Sequence, residues 1–229
     1  MVAAAEVMAG TNEPTSQALA LLADAAIVFW DFDGVIKESV EVKSSAFERL
    51  FEPFGREIAA RVREHHESHC GMSRYEKVPI YLRWAGEPGS PHEVQTFCER
   101  FGHMVKLAVI SAAWVPGVHQ YLESHYRDQH FVLVTATPQQ EIEDILQAVE
   151  LRVCFREVFG APTSKGAAIR DVVARWECAP DECLMVGDAE TDLIAARDNG
   201  VPFLLRRTSR TRALQEQYAG PSFDDLHHE

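Results

Sequence analysis

The chain has 229 residues, 46% hydrophobic and 25% charged, which excludes a disordered chain and leaves length for one or two globular domains. Its 22 lysines and arginines face 35 aspartates and glutamates, a formal charge of −13. Nucleic acid and anionic membranes are therefore poor partners, and a small anionic ligand is admissible only where basic groups or a metal converge.

The five cysteines (Cys70, Cys98, Cys154, Cys178 and Cys183) include no CxxC pair. They predict buried thiols in a reducing compartment rather than a zinc site or a disulfide framework. The opening MVAAAEVMAG lacks a basic stretch and is interrupted by Glu6, and no apolar run is long enough to span a membrane, so the expected location is the cytoplasm.

In chain order, residues 1–16 read as a flexible arm ending in the turn-like TNEPTS, and 17–24 (QALALLAD) as a short helix. AAIVFWDFDGVI is a continuous apolar run, as in a strand buried on both faces of a parallel sheet, stopping near Asp31. From Ser39 to Ala113 the pattern is helical: Val42, Ala46, Leu50 and Phe51 form a stripe ended by Pro53 and Gly55. EIAARVREHHESHC, SRYEKVPIYLRW and SPHEVQTFCERFGHMVKLAVISAAW follow as further helices. After WVPGV the pattern alternates again. FVLVTAT is a strand ending in Thr135, with Pro138 in the first turn of the next helix. FREVFG is ambiguous, SKGAAIRDVVARW a helix, ECLMVGD a strand, ETDLIAARDNG a helix closed at Gly200, and VPFLL the last strand.

Strands alternating with helices predict an α/β fold, a doubly wound, Rossmann-like parallel sheet with an inserted α-helical domain. The expected division is a core of residues 17–38 and 114–229 and a helical insert of 39–113. In such a sheet the ligand lies beyond the carboxyl ends of the strands.

Three apolar runs end in reactive side chains: Asp31 with Asp33, Thr135, and Asp188, while Lys165 opens the helix before the Asp188 strand. Asp31 and Asp33, two apart on an extended backbone, leave the chain on one side. Close carboxylates repel unless a cation binds or one is protonated. With Asp188 they make the hard oxygen set that suits Mg²⁺, which would neutralise a phosphate while one carboxylate attacks phosphorus. Thr135 and amides of the following helix start could hold phosphate oxygens, and Lys165 could add a fixed positive charge. Taken singly, each has a plainer reading as a turn, a helix cap or a surface charge.

DFDGVIKES resembles the first motif of the haloacid dehalogenase superfamily, VTAT the second, SKG the third, and GDAETDLIAARDNG the fourth. PGV at 116–118 is similar to the family's return from an inserted cap. The resemblance covers residues 26–206 and points to the phosphoglycolate phosphatase and β-phosphoglucomutase-like members, whose cap lies between the first two motifs. It implies Asp31 as the nucleophile that becomes a phosphoaspartate and Asp33 as general acid and base. It also implies Thr135, Ala136, Lys165 and Gly34 around the phosphoryl group. Mg²⁺ would be held by Asp31, Asp188 and the backbone carbonyl of Asp33, with Asp192 ligating it through water or orienting the site. Asn199, Ala136 and Glu38 depart from the usual residues, and none is the nucleophile.

Dehalogenases lack the second aspartate, so Asp33 favours phosphoryl transfer. The expected function is a Mg²⁺-dependent phosphomonoester hydrolase for a small phosphorylated metabolite, a sugar phosphate among the candidates, as a monomer or homodimer. A sugar phosphomutase, or a catalytically silent binding protein of the same fold, are the alternatives. In the insert, Gly71 breaks a helix, and Arg74 and Lys77 share a face from which they could reach a sugar hydroxyl or second anion. Each could equally be a solvated surface charge. His65 and His69 have i, i+4 spacing, for which an exposed face is a better reading than a metal site. Lys43, Lys77 and Lys106 are candidates for a Schiff-base lysine.

Overall fold

The computed structural model describes residues 13–69 and 71–227; most of the expected N-terminal arm, and Cys70, lie outside these. Helix α1 (Glu13–Asp24) starts four residues before the expected helix, with Pro14 in its first turn, where a missing N–H costs nothing. Strand β1 (Ile27–Trp30) follows, then four helices: α2 (Val40–Phe51), α3 (Arg56–Ser68), α4 (Arg74–Trp84) and α5 (Pro91–Ser111). The chain returns through α6 (Val118–His125), β2 (His130–Pro138), α7 (Gln139–Ala148) and β3 (Glu157–Ala161). It ends with α8 (Lys165–Arg175), β4 (Cys183–Gly187), α9 (Glu190–Asp198), β5 (Phe203–Arg206), α10 (Arg212–Gln217) and β6 (Ser222–Phe223). No described helix is long and apolar enough to cross a membrane.

All strand pairs are parallel, in the order β3-β2-β1-β4-β5-β6. The sequence therefore winds outwards twice from β1, and the switch point lies between β1 and β4. Alternation along each strand explains why the sheet is buried on both sides. Val28, Trp30, Phe131, Leu133, Leu184 and Val186 join one apolar cluster; Ile27, Phe29, Val132, Val134, Cys183 and Met185 join the other. The first also takes in α1, α6, α7 and the interior of the insert, from Phe47 and Phe51 to Tyr81, Phe101 and Val109. The second lies under α8 and α9.

Two further expectations change. β2 runs past Thr135 to Pro138, which keeps an extended ψ of 143° and precedes α7 rather than entering it. VPFLL is followed by β6, whose two residues are too few for a sequence pattern.

The two connections into and out of the insert run side by side. Glu38 N donates to Ala113 O and Val115 N to Ile36 O. Between them Lys37, 3% exposed, donates to Ile110 O and Ala112 O at 3.0 and 2.8 Å and lies over the Trp114 ring. A lysine there satisfies carbonyls at the end of α5 that have no partner inside the helix. At the other end of α5, Ser90 and Glu93 form a reciprocal capping box.

Candidate active site

Because β1 and β4 are neighbours in register, with Trp30 opposite Val186, the residues that follow them emerge together. Asp31 N still donates to Val186 O at 3.0 Å, so the sheet holds Asp31 rigidly at its carboxyl edge. Carboxylate oxygens of Asp31, Asp188 and Asp192 lie within 4.8 Å of one another, and the three residues are 4%, 6% and 0% exposed. Lys165, the first residue of α8, places Nζ 2.8 Å from Asp31 Oδ1 and 2.5 Å from Asp192 Oδ1. The other oxygen of Asp192 accepts from Ala189 N at 3.0 Å.

Three buried carboxylates share this one ammonium. Burial, with Asp192 and Asp33 nearby, pushes Asp31 up to about 7 against the pull of Lys165. Burial, then Asp31 and Asp192, hold Asp188 well above the usual carboxylate range. Burial alone would lower Lys165, but Asp192 and Asp31 raise it. A divalent cation relieves such crowding, and the all-oxygen donor set is the kind Mg²⁺ takes. Two glycines make the approach possible. Gly34 has φ +78°, and a Cβ there would stand 2.2 Å from Asp188 Oδ2; a Cβ on Gly187 would stand 2.4 Å from Asp192 Cβ. Gly34 thus touches a carboxylate and lines an outer cleft rather than the inner cavity.

Asp33 lines the same cavity but has a different set of partners. Its Oδ1 accepts from Ser39 Oγ at 2.5 Å, and its Oδ2 from Lys43 Nζ and, at 3.3 Å, from Thr137 Oγ1. Lys43 also donates to Thr137 Oγ1 at 2.9 Å. Burial would raise Asp33, but the charge and hydrogen bond of Lys43 prevail and its carboxyl sits below the usual range. Thr135, 1% exposed, accepts from Thr137 N at 3.2 Å.

The insert supplies the opposite wall. An inner cavity of about 40 Å³ is bounded by Asp31, Asp33, Thr135, Ala136, Lys165 and Asp188 on the core side. Phe47, His66, Gly71, Met72, Arg74, Lys77 and Phe101 face them. Arg74 and Lys77 are not solvated charges: they are 6% and 1% exposed. Arg74 makes a two-pronged ion pair with Glu141 of α7, at 2.5 and 2.8 Å, and lies 4.6 Å over the Phe101 ring. Lys77 Nζ is 2.8 Å from His66 Nδ1, and burial, then the Lys77 charge, holds that imidazole well below its ordinary pKa. His65 and His69 stack at 4.1 Å; His65 Nδ1 meets Tyr81 Oη at 3.1 Å and His69 Nδ1 meets His65 O at 3.0 Å. Lys106 pairs with Asp144 at 2.5 Å, outside the cavity.

Sequence reasoning passed over Thr137, Ser39, Glu141, Arg206 and the pairing of Lys43. Two signals were available. Thr135 and Thr137 alternate, so a strand reaching Pro138 puts both on one face. Ser39 and Lys43 share spacing with the buried stripe of Ala46, Phe47 and Leu50, so a lysine there points inwards. Glu38 has its explanation in Arg206, which takes it at 2.5 Å and donates to Gly34 O at 3.1 Å, bracing the turn after Asp33.

A curated phosphoglycolate phosphatase of Pseudomonas fluorescens is 25% identical over 193 residues, covering 76% of this chain and 66% of the relative. The matched stretch thus spans about two thirds of that relative's length. Among solved structures, a β-phosphoglucomutase of Clostridium difficile superposes with a TM-score of 0.71 at 17% identity, covering 88% of this chain and 92% of the other. A hydrolase of Pseudomonas syringae gives 0.69 at 16%, covering 88% and 94%. These two likenesses are of fold. Residues 28–205 match the profile of haloacid dehalogenase-like hydrolases, and with the motifs clustered at the switch point the chain belongs to that family.

Proposed function

We propose that the chain is a Mg²⁺-dependent phosphomonoester hydrolase for a small phosphorylated metabolite, working through a phosphoaspartate on Asp31. The observation that carries this reading is the cluster of three buried carboxylates at the switch point with Lys165 against Asp31. Asp31, Asp188 and Asp192 would hold Mg²⁺, which supplies charge neutralisation for the carboxylates and the phosphoryl oxygens.

Asp31 attacks phosphorus, the ester bond breaks, and the alkoxide takes a proton from Asp33. Water, losing its proton to Asp33, then attacks the phosphoaspartate, restoring the Asp31 carboxylate and freeing phosphate. Lys165 balances charge on the transferring group, and Thr135 with neighbouring amides holds its oxygens. In the arrangement described, Asp33 is ionised and tied to Lys43, so proton delivery requires that tie to loosen. Because Lys43 rides on α2, position of the insert and readiness of the acid are linked.

The test is phosphate release from a panel of small phosphomonoesters, with and without Mg²⁺, beside Asp31→Asn. Release that needs Mg²⁺ and is lost in the variant supports the mechanism; release that survives Asp31→Asn sinks it. No release, with stable phosphorylation of the chain by a sugar bisphosphate, would replace the hydrolase with a phosphomutase.

A further inference from the structure

The connection from α8 to β4 brings two thiols into contact at the amino end of β4, the sheet edge opposite the carboxylate cluster. Helix α8 is followed by a left-handed residue, Glu177, at φ +49°, and Cys178 N reaches back to Val173 O at 3.3 Å. This is the Schellman pattern, which reverses the chain at a helix end. A single 3₁₀ turn (Pro180–Glu182) comes next. Ala179 N donates to Glu182 Oε2 at 3.0 Å, and Ala26 N donates to Glu182 O at 2.8 Å. Cys183 then opens β4, in register with Ile27. Hydrogen bonds along this path thus place both sulfurs.

The Sγ atoms of Cys178 and Cys183 lie 3.7 Å apart, and each is 3.6 Å from the same acceptor, Ala179 O. Cys178 Sγ is also 3.6 Å from Glu182 Oε2. The two differ in exposure. Of the four described thiols, Cys178 alone is not fully buried, whereas Cys183 is 2% exposed and packs in the cluster of Met185 and Phe203. A solute reaches the first sulfur, and the second meets only the first. Burial raises both thiols, Cys183 to about 12, and the carboxylates of Glu182 and Asp181 add to the rise. Both are protonated at neutral pH, so their reaction with an oxidant is slow, and its product is decided by what lies beside the sulfur once it has reacted.

We propose that Cys178 and Cys183 are a modification site, a dithiol that a peroxide converts into an intramolecular disulfide. Cys178 Sγ attacks one peroxide oxygen, the O–O bond breaks, and the departing hydroxide takes the thiol proton as water, leaving a sulfenic acid. Cys183 Sγ attacks that sulfur, the S–O bond breaks, and the hydroxyl leaves with the Cys183 proton as a second water. Two sulfurs are oxidised, one peroxide is reduced to two waters, and a thiol reductant reverses the result. The remaining approach, from 3.7 Å to a bond of about 2.05 Å, falls to Cys178, whose side chain is not fully packed. Alone, Cys178 would pass on to sulfinic acid, which thiols do not reverse. The buried partner keeps the exposed thiol on the reversible part of the ladder.

The experiment treats the full chain with hydrogen peroxide, blocks the remaining thiols with iodoacetamide in urea, and maps tryptic peptides without reduction. Both cysteines fall in one peptide, 176–197, because no lysine or arginine lies between Arg175 and Arg197. In the wild type that peptide loses two hydrogens and takes no iodoacetamide. It exceeds the Cys178 sulfinic form by about tenfold or more, since a thiol held in contact makes the second step intramolecular, and dithiothreitol restores both alkylations. Cys183→Ala accumulates the sulfinic acid on Cys178. Cys178→Ala, changed at the half-buried position where the fold tolerates it best, leaves Cys183 a thiol. Sulfinic acid on Cys178 as the main wild-type product, a disulfide from either residue to a different cysteine, or oxidation of Cys183 in Cys178→Ala overturns the proposal. So does a wild-type peptide that takes two iodoacetamides after the same peroxide has converted methionines of the chain to sulfoxides.

Discussion

Arg74 offers the sharpest test of how the insert is held. Its side chain is 5% exposed and that of Glu141 13%, so Arg74→Met leaves a carboxylate buried without its counter-charge while keeping much of the apolar volume beside Phe101. Breaking one partner of a buried pair costs about 3–5 kcal/mol. For a chain of this size each kcal/mol lowers Tm by about 2–4 °C, which gives a loss of about 6–20 °C. Adding Glu141→Leu removes the stranded charge, and the double variant should return most of the way, because well-packed apolar pairs replace buried ion pairs at little cost. Urea denaturation of the two single variants and the double variant measures the coupling. If Arg74→Met costs under about 1 kcal/mol, the level of a solvated pair, while KM for a substrate rises sharply, Arg74 is a substrate ligand and the structural reasoning is wrong.

Lys43→Met takes away the charge that keeps the Asp33 carboxyl low, so burial prevails and its pKa rises. On the mechanism proposed, the limb of the kcat/KM profile governed by Asp33 moves to higher pH by about one unit or more, whereas Lys43→Arg keeps the charge and the position of the limb; identical profiles for all three proteins would refute it. His66, 5% exposed, stays neutral in the fold well below its ordinary pKa, with Lys77, Lys43, His65 and Arg63 around it. The unfolded chain binds that proton below pH about 6.5 and the native chain does not. Stability from this group is therefore complete above that pH and declines as pH falls, by up to about 1.4 kcal/mol per unit. Urea midpoints at pH 7 and pH 5 should separate the wild type from His66→Gln by a smaller gap at the lower pH, and a gap independent of pH would refute the neutral imidazole.

What was legible in the sequence was the part whose chemistry sits at the ends of strands. Asp31, Thr135 and Asp188 each occupy a short window of apolar run followed by a polar residue, Lys165 opens the helix before the Asp188 strand, and a parallel sheet aligns such ends without further information. The insert was legible as helices and little else. Arg74 and Glu141 are 67 positions apart, and Lys43 and Thr137 are 94 apart. No periodicity connects positions on separate elements, so Arg74 could be read as either a ligand or a solvated charge. Gly71 looked like a turn residue because glycine is a common helix breaker; a Cβ there would stand 1.6 Å from Thr191 Oγ1, a neighbour on a distant element that no local pattern reveals. The same blindness hid β6, which owes its place to β5 rather than to a pattern of its own.

The distribution of buried charge carries the argument one step further. A chain with a formal charge of −13 nonetheless buries Lys43, Arg74, Lys77 and Lys165 around one small cavity. Lys165 belongs to the core; the other three belong to the insert. With the insert drawn away, Asp31, Asp33, Asp188 and Asp192 would face solvent with Lys165 alone, and an anionic ester would be repelled until a cation was bound. With the insert in place the site is walled by Phe47 and Phe101, Lys43 is committed to Asp33 and Arg74 to Glu141, and every one of these charges acts in surroundings where charges act strongly. The insert thus brings its cations already paired, one of them to a carboxylate of the site itself, so removing either partner of a pair changes the charge balance of the cavity as well as the hold of the insert on the core.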